Sequence, residues 1–408
     1  MGLFSSTSNK KNIELICDIG NRSVGISLVE YVFGVKTPNV IFTDRFYSPY
    51  KEVKDIENII SVFSKDLKGL LNNALKHCIS LGITPTSVSC FYSSPWYIAQ
   101  THILKVKQSE PIVFSKTIMK KILDEGKKSF LSEDIKKEYF FYAKDLRLIE
   151  NRITQIKLNG YQTNKPFGKK ASNVEASVFF GAVPKEIIAL VEDVIDHMWH
   201  KIKVQHHTFP IASFSLLRNE LNITGNFLIV NIADDITDMS FVNDNILLDT
   251  ISFPLGKRKL IESIENNCNI NYELASSALS MYSKKEIYSE QAICIENAIK
   301  SSKKDWINHF ENSYGILTKK NVLPEIIYLI SDDRIAPFFE SMLKNLGVGG
   351  YTTPDRELRV CLVDKNLFQK YITYSSPIHK DFFLEIEALY LNFISTKDED
   401  IINNYILK

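Results

Sequence analysis

The stretch Phe227-Leu-Ile-Val-Asn-Ile-Ala-Asp-Asp-Ile-Thr-Asp-Met-Ser-Phe-Val242 constrains the fold more than any other part of the chain. Phe227 to Ile232 is an apolar run of the kind needed by a strand covered on both faces. Ala233-Asp234-Asp235 supplies an acidic turn, after which Thr237, Met239 and Phe241 set the period of two of a second strand. A shorter unit of the same kind opens the chain, Ile13 to Val29, with Asp18 and Gly20 at its turn. Two strand–acidic turn–strand hairpins, widely separated in one chain, predict related half-domains facing each other across a cleft.

At 408 residues the chain exceeds one ordinary core, so several domains are expected. A net charge of +1, with Lys and Arg scattered along the chain, leaves no electrostatic case for nucleic acid. No apolar run reaches the length of about 18 residues that a spanning helix needs. No charged-then-apolar leader opens the chain, and the expectation is a cytoplasmic protein that reaches a membrane only through a partner. Cys17, Cys78, Cys90, Cys268, Cys294 and Cys361 stand apart without a C-x-x-C pair, which predicts buried reduced thiols. Met1-Gly2-Leu3-Phe4-Ser5-Ser6 fits a myristoylation pattern by letter, against the plainer reading of a polar tail.

Helical spacing runs from Asp55 to Leu81, with Asp55 as N-cap and Gly82 as terminator. Ser87 to Tyr92 reads as a strand. Gln100 to Glu138 is Lys-rich and mixed, with one helix near Ser115 to Phe130. Strands are expected at Ile153–Leu158 and Val174–Val183, then a helix opened by Pro184. Further on, Glu325–Ile330 is a buried strand, Arg334–Leu346 a helix, and Phe382–Ile394 an amphipathic helix. His197 and His200 share a helical face, and His206 and His207 follow. Without a nearby Cys or carboxylate in ligand spacing, they read as polar helix residues rather than a metal site.

The pair of hairpins resembles the actin and sugar-kinase superfamily, in which each half offers an Asp-containing turn to nucleotide phosphates. Within it the chain is most similar to the bacterial division family FtsA, with the pilus family PilM second. Asp18-Ile-Gly20-Asn21-Arg22-Ser23-Val24 resembles the first phosphate loop, and Asn231-Ile-Ala-Asp234-Asp235-Ile-Thr237-Asp238 stands at the second. Asn243 to Gly256 continues as in that family, and Phe209-Pro-Ile-Ala-Ser-Phe214 resembles its connecting helix. Arg152 to Tyr161 and Val174 to Val183 resemble its inserted subdomain. The resemblance implies a two-lobed, ribonuclease-H-like α/β fold with an inserted α+β subdomain of the SHS2 type. The boundaries it implies are a flexible tail over 1–11, a first half over 12–87, the insert over 88–205 and a connecting helix over 206–225. The second half then comprises 226–256 and 321–394 around a helical lobe at 257–320, followed by a short tail at 395–408.

The resemblance also implies ATP and Mg²⁺ in the cleft, with Asp18 and Asp238 as metal or water ligands. Here the residues depart from the family. The second loop has Ala233, Asp234 and Asp235 in place of glycines, and Asn231 in place of a leading carboxylate. Beside the adenosine position, Ser331-Asp332-Asp333 replaces a Gly-Gly pair, and Lys257 follows Gly256 where a further glycine is usual. Glycine serves such loops because the backbone must approach phosphate closely. A like-charge pair at about 4 Å costs roughly 4 kcal/mol at an effective dielectric of 20. Half of that weakens affinity about thirty-fold. The expectation is a cleft turned anionic, a degenerate ATPase, and no resident metal. The function implied is an FtsA-like scaffold that self-associates and binds a tubulin-like division protein. The alternatives are an active ATPase switch and a PilM-like adaptor for an inner-membrane assembly protein. The residues after Ile394 have an acidic start, unlike a basic membrane helix.

Overall fold

The computed structural model describes residues 11–48, 56–132, 145–318, 324–346, 358–375 and 378–396. The Met1–Ser6 pattern, Asp55 as N-cap and the tail beyond 396 lie outside the described residues. The chain opens with three antiparallel strands, β1 (Lys11–Ile19), β2 (Ser23–Val32) and β3 (Asn39–Tyr47). Helix α1 (Ile56–Leu81) then crosses to β4 (Ser87–Tyr92), which lies parallel to β1. Gly82 ends α1 at φ +63°, the left-handed terminator its position predicts.

From β4 the chain leaves for an insert made of β5 (Ile98–Val113), α2 (Lys116–Phe130), β6 (Leu146–Leu158), β7 (Tyr161–Gln162) and β8 (Lys170–Pro184). It returns through α3 (Lys185–Met198) to β9 (Lys203–Thr208), parallel to β4, and α4 (Phe209–Ser215). Ser115 caps α2 and Pro184 precedes the first residue of α3. The insert's own core runs only from Ile98 to Ala182. Strand β4 and helix α3 pack in the core of the first sheet. Strand β4 pairs with β1 on one side and β9 on the other, which satisfies its backbone.

The second half repeats the plan with β10 (Phe227–Ile232), β11 (Thr237–Asn243) and β12 (Ile246–Phe253), all antiparallel. Helices α5 (Lys257–Cys268), α6 (Tyr272–Ser283) and α7 (Ser289–Thr318) intervene before β13 (Ile326–Ser331) joins β10 in parallel. Then come α8 (Ala336–Lys344), β14 (Arg359–Leu362), β15 (Thr373–Tyr374) and α9 (Phe382–Thr396). The first sheet runs β15-β3-β2-β1-β4-β9, and the second runs β14-β13-β10-β11-β12-β5-β8-β6-β7. Stripped of additions, β3-β2-β1-β4-β9 and β12-β11-β10-β13-β14 are the same order in the same sense. The two related halves expected from the hairpins are present; one buried core fills the first and takes in Phe227, Ile229, Val242 and Ile330 of the second, which has a further core of its own.

Strand β5 falls within the segment read as Lys-rich and mixed. Its outer positions, including Lys105, Lys107 and Glu110, face water while β8 covers its other edge, so the strand carries no long apolar run. The thiol expectation is also corrected. Cys268 at the end of α5 and Cys294 on α7 form a disulfide, and Cys361 is exposed, whereas Cys17, Cys78 and Cys90 are buried and free. A separation of 26 residues hides the pair in the sequence, because the α5–α6–α7 packing alone brings it together.

Candidate functional site: the cleft between the two sheets

The turn after β1 and the turn after β10 face each other, as twin hairpins on parallel-flanked central strands require. The Arg22 guanidinium and the Asn21 amide of the first turn both reach the Asp235 carboxylate of the second, the amide at 3.2 Å. Arg258 Nε approaches the other Asp235 oxygen at 3.6 Å. Burial raises the Asp235 carboxyl, and Arg22 and Arg258 pull it back down.

The remaining acids of the cleft are answered in the same way. Lys257 Nζ sits 3.5 Å from Asp234 and 3.2 Å from Asp332, beneath the Tyr47 ring. Arg334 grips Asp332 with two nitrogens, at 3.1 and 2.9 Å. Burial alone would raise the Asp332 carboxyl, yet the Arg334 hydrogen bond and the Lys257 charge hold it well below the usual carboxylate range. The expected anionic lining is therefore corrected: each of these carboxylates has a cation of the chain against it. The signal lay in plain view, since Lys257-Arg258 follows Gly256 and Arg334 follows Asp333.

Asp18 is buried and turned away from the opening. Its Oδ2 lies 2.6 Å from Arg45 Nη2, and the same guanidinium reaches Asp381 at 2.5 Å. Glu387 adjoins it, and burial and the Asp18 charge push the Glu387 carboxyl well above its ordinary range, so this group keeps the proton. Arg45, Asp381 and Glu387 were not anticipated; they come from distant segments and carry no local motif. Gly25 has a clear reason, because a Cβ there would meet the Arg45 guanidinium at 2.6 Å. Ser23 accepts from Arg45 Nη1 at 3.1 Å.

Asp238 is buried on β11, against Ser94 and Tyr97 from the segment after β4, and does not line the cavity that Asp234 lines. It alternates with Thr237 along β11 and so points to the opposite face. There it accepts from Ser252 Oγ at 2.6 Å, and burial raises its carboxyl. Asn231 lies across from it in register. Thr237 donates to Leu255 O and accepts from Trp306 Nε1, fastening α7 to the turn. Ser331 is buried against Ile232 O, and Asp333 is half-buried on the turn into α8. His197 and His200 bond to their own helix, whereas His206 and His207 face Glu192 and Glu150 in the interior. Among the described residues no His, Cys, Asp and Glu group is placed to hold a metal ion.

A magnesium-bound triphosphate needs free loop amides and a free carboxylate. Here Gly20 N donates to Ser23 O at 2.9 Å and Ala233 N to Ile236 O at 3.0 Å. The amides at the start of α5, Lys257 N and Arg258 N, donate to Ala233 O and Asp234 O at 3.0 and 2.8 Å. Gly256 fits because a Cβ there would collide with those same carbonyl groups. These donors are spent inside the loops, and one oxygen of Asp18, Oδ2, is taken by Arg45. The residues do not fit that group. Beside them is a cavity of about 560 Å³ lined by Arg22, Tyr47, Lys257, Arg258, Tyr272 and Arg334, among others.

No protein-family model matches the chain, and no curated protein matches it. Solved structures do. A PilM–PilN type IV pilus biogenesis complex is 13% identical, covers 94% of this chain and 98% of its own, and has a TM-score of 0.58. A Bacteroides thetaiotaomicron protein of actin-like ATPase fold and unknown function is 9% identical over 96% and 99%, with a TM-score of 0.40. The ethanolamine utilization protein EutJ from Carboxydothermus hydrogenoformans is 10% identical over 94% and 89%, with a TM-score of 0.39. With its twin sheets, the chain has the actin-like ATPase fold.

Proposed function

We propose that the chain is an actin-like adaptor that works by binding protein partners and by self-association, and does not hydrolyse ATP. The observation that carries this is the clasp of Arg22 and Asn21 on Asp235, which puts the chain's own carboxylate where a phosphate would be received. Of the finer roles, pilus assembly at the cytoplasmic face of an inner membrane comes first. It draws support from the end-to-end likeness to a PilM that is complexed with PilN. The division scaffold of FtsA type rests on the loop and insert patterns alone. No helix among the described residues is long and apolar enough to cross a membrane, so contact through a partner is part of this reading. The partition into two halves, an insert and a helical lobe belongs to it as well.

A partner has a place to add a strand. Strand β9 ends the first sheet, and among the described residues nothing pairs with the outer edge of β6 before Lys157. Between these edges lies a cavity of about 240 Å³ lined by 147–152 and 203–207. Open edges of this kind accept extended peptides through backbone hydrogen bonds.

An ATP-dependent switch is the second reading, favoured by the cation-lined cavity of about 560 Å³. Titration calorimetry with ATP and Mg²⁺ separates the two. The adaptor predicts no saturable binding in the micromolar range; micromolar binding that is lost in Arg334→Ala would overturn it. Gene neighbourhood separates the finer roles, pilus assembly genes against a tubulin-like division gene.

A further inference from the structure

We propose that Asp235 is a tethered anion: it occupies the anion-receiving part of the cleft and ties the turn of the second half to the turn of the first. The inference rests on the adaptor reading and adds how its cleft is regulated. The first turn presents Arg22 and Asn21, and the second half presents Arg258 and Lys257, all converging on one small region. Such a set recognises a phosphate or a carboxylate with equal ease. The carboxylate it meets is supplied by the facing turn, Arg22 and Asp235 lying 213 positions apart in the chain. Further bonds cross the same gap, from Arg258 Nη2 to Ser48 O at 3.5 Å and from Lys257 to the Tyr47 ring. Tyr47 and Ser48 follow from the first half, so the contact closes the cleft from both sides of the Asp235 turn. Asp234, held by Lys257, and Asp332, held by Lys257 and Arg334, do not take part in the crossing. Asp235 alone among these acids reaches the opposite half in the bonds described.

Removing that one charge should leave the cations in place and free them for an added anion. The test is titration of inorganic pyrophosphate, with EDTA present, into the wild type, Asp235→Asn and Asp235→Ala. Scattering gives the radius of gyration of each. The asparagine variant keeps the side-chain shape and so guards against a folding defect in the alanine variant. The proposal expects roughly ten-fold or tighter binding by Asp235→Asn than by the wild type, corresponding to about 1.4 kcal/mol. It also expects a larger radius for the variant, reduced again by pyrophosphate, and loss of the gained binding when Arg22→Ala is added. Equal pyrophosphate binding by folded wild type and variants, or an unchanged radius, overturns it. The adaptor reading is judged separately by ATP and Mg²⁺ on the wild type, so either can fail without the other.

Discussion

Arg45 stands between Asp18 and Asp381 with its side chain 5% exposed, as buried as the two acids it serves. Breaking a buried pair by removing one partner leaves an uncompensated charge, typically at about 3–5 kcal/mol. Arg45→Met should therefore lower unfolding stability by about that amount, measured by urea denaturation near neutral pH. A loss below about 1 kcal/mol would mean that the carboxyl groups find protons or water without the guanidinium. At this scale the sequence was partly legible. Gly20 and the Asp234–Asp235 turn sit where hairpin spacing places them, because a turn between two strands is a local property, whereas Asp18 belongs to β1 itself. Arg45 was not legible, since Asp381 lies 336 positions away and only the packed fold brings them together. Asp238 follows the same local logic, since the period of two sends it to the face of β11 opposite Thr237.

Helix α9 is visible from the spacing of Phe382, Phe383, Ile386, Leu389, Tyr390 and Phe393, a spacing that leaves the place of its acids open. Glu385 and Glu387 are buried against the first sheet. Burial lifts the Glu385 carboxyl to about 7, while the hydroxyl of Tyr374, 2.5 Å away, pulls it down. The folded protein thus holds this proton up to about pH 7, whereas the unfolded chain releases it near the ordinary value of 4.5. The folded state binds more protons, so this group's contribution falls as pH rises through that window. His206 has the opposite sign: burial lowers it to about 4, so its contribution is lost as pH falls below 6.5. A comparison with Glu385→Gln isolates the first effect. Relative to the wild type, the melting temperature of Glu385→Gln should improve steadily from about pH 5 to about pH 7.5. Parallel melting curves across that range would assign the carboxyl an ordinary titration.

The twin order of β3-β2-β1-β4-β9 and β12-β11-β10-β13-β14 has no counterpart in residue identity. It was inferred from the hairpins because strand alternation and turn chemistry repeat even where letters do not. Strands with one wet face escaped that reading, as β5 shows. Amide hydrogen exchange should rank the strands accordingly, slowest in the interior β1, β4, β10 and β13 and fast in β14 and β15 at the ends. Comparable rates in end and interior strands would contradict the pairing. The second sheet runs on into the insert through one pair, Asp249 with Gln100. The insert's chain ends, by contrast, are rooted in β4 and α3 beside the first sheet. A rotation that pries the halves apart must then either snap that narrow seam or drag β6 away from β9. Whatever lodges along those two strands would feel the jaws on the far side of the molecule move.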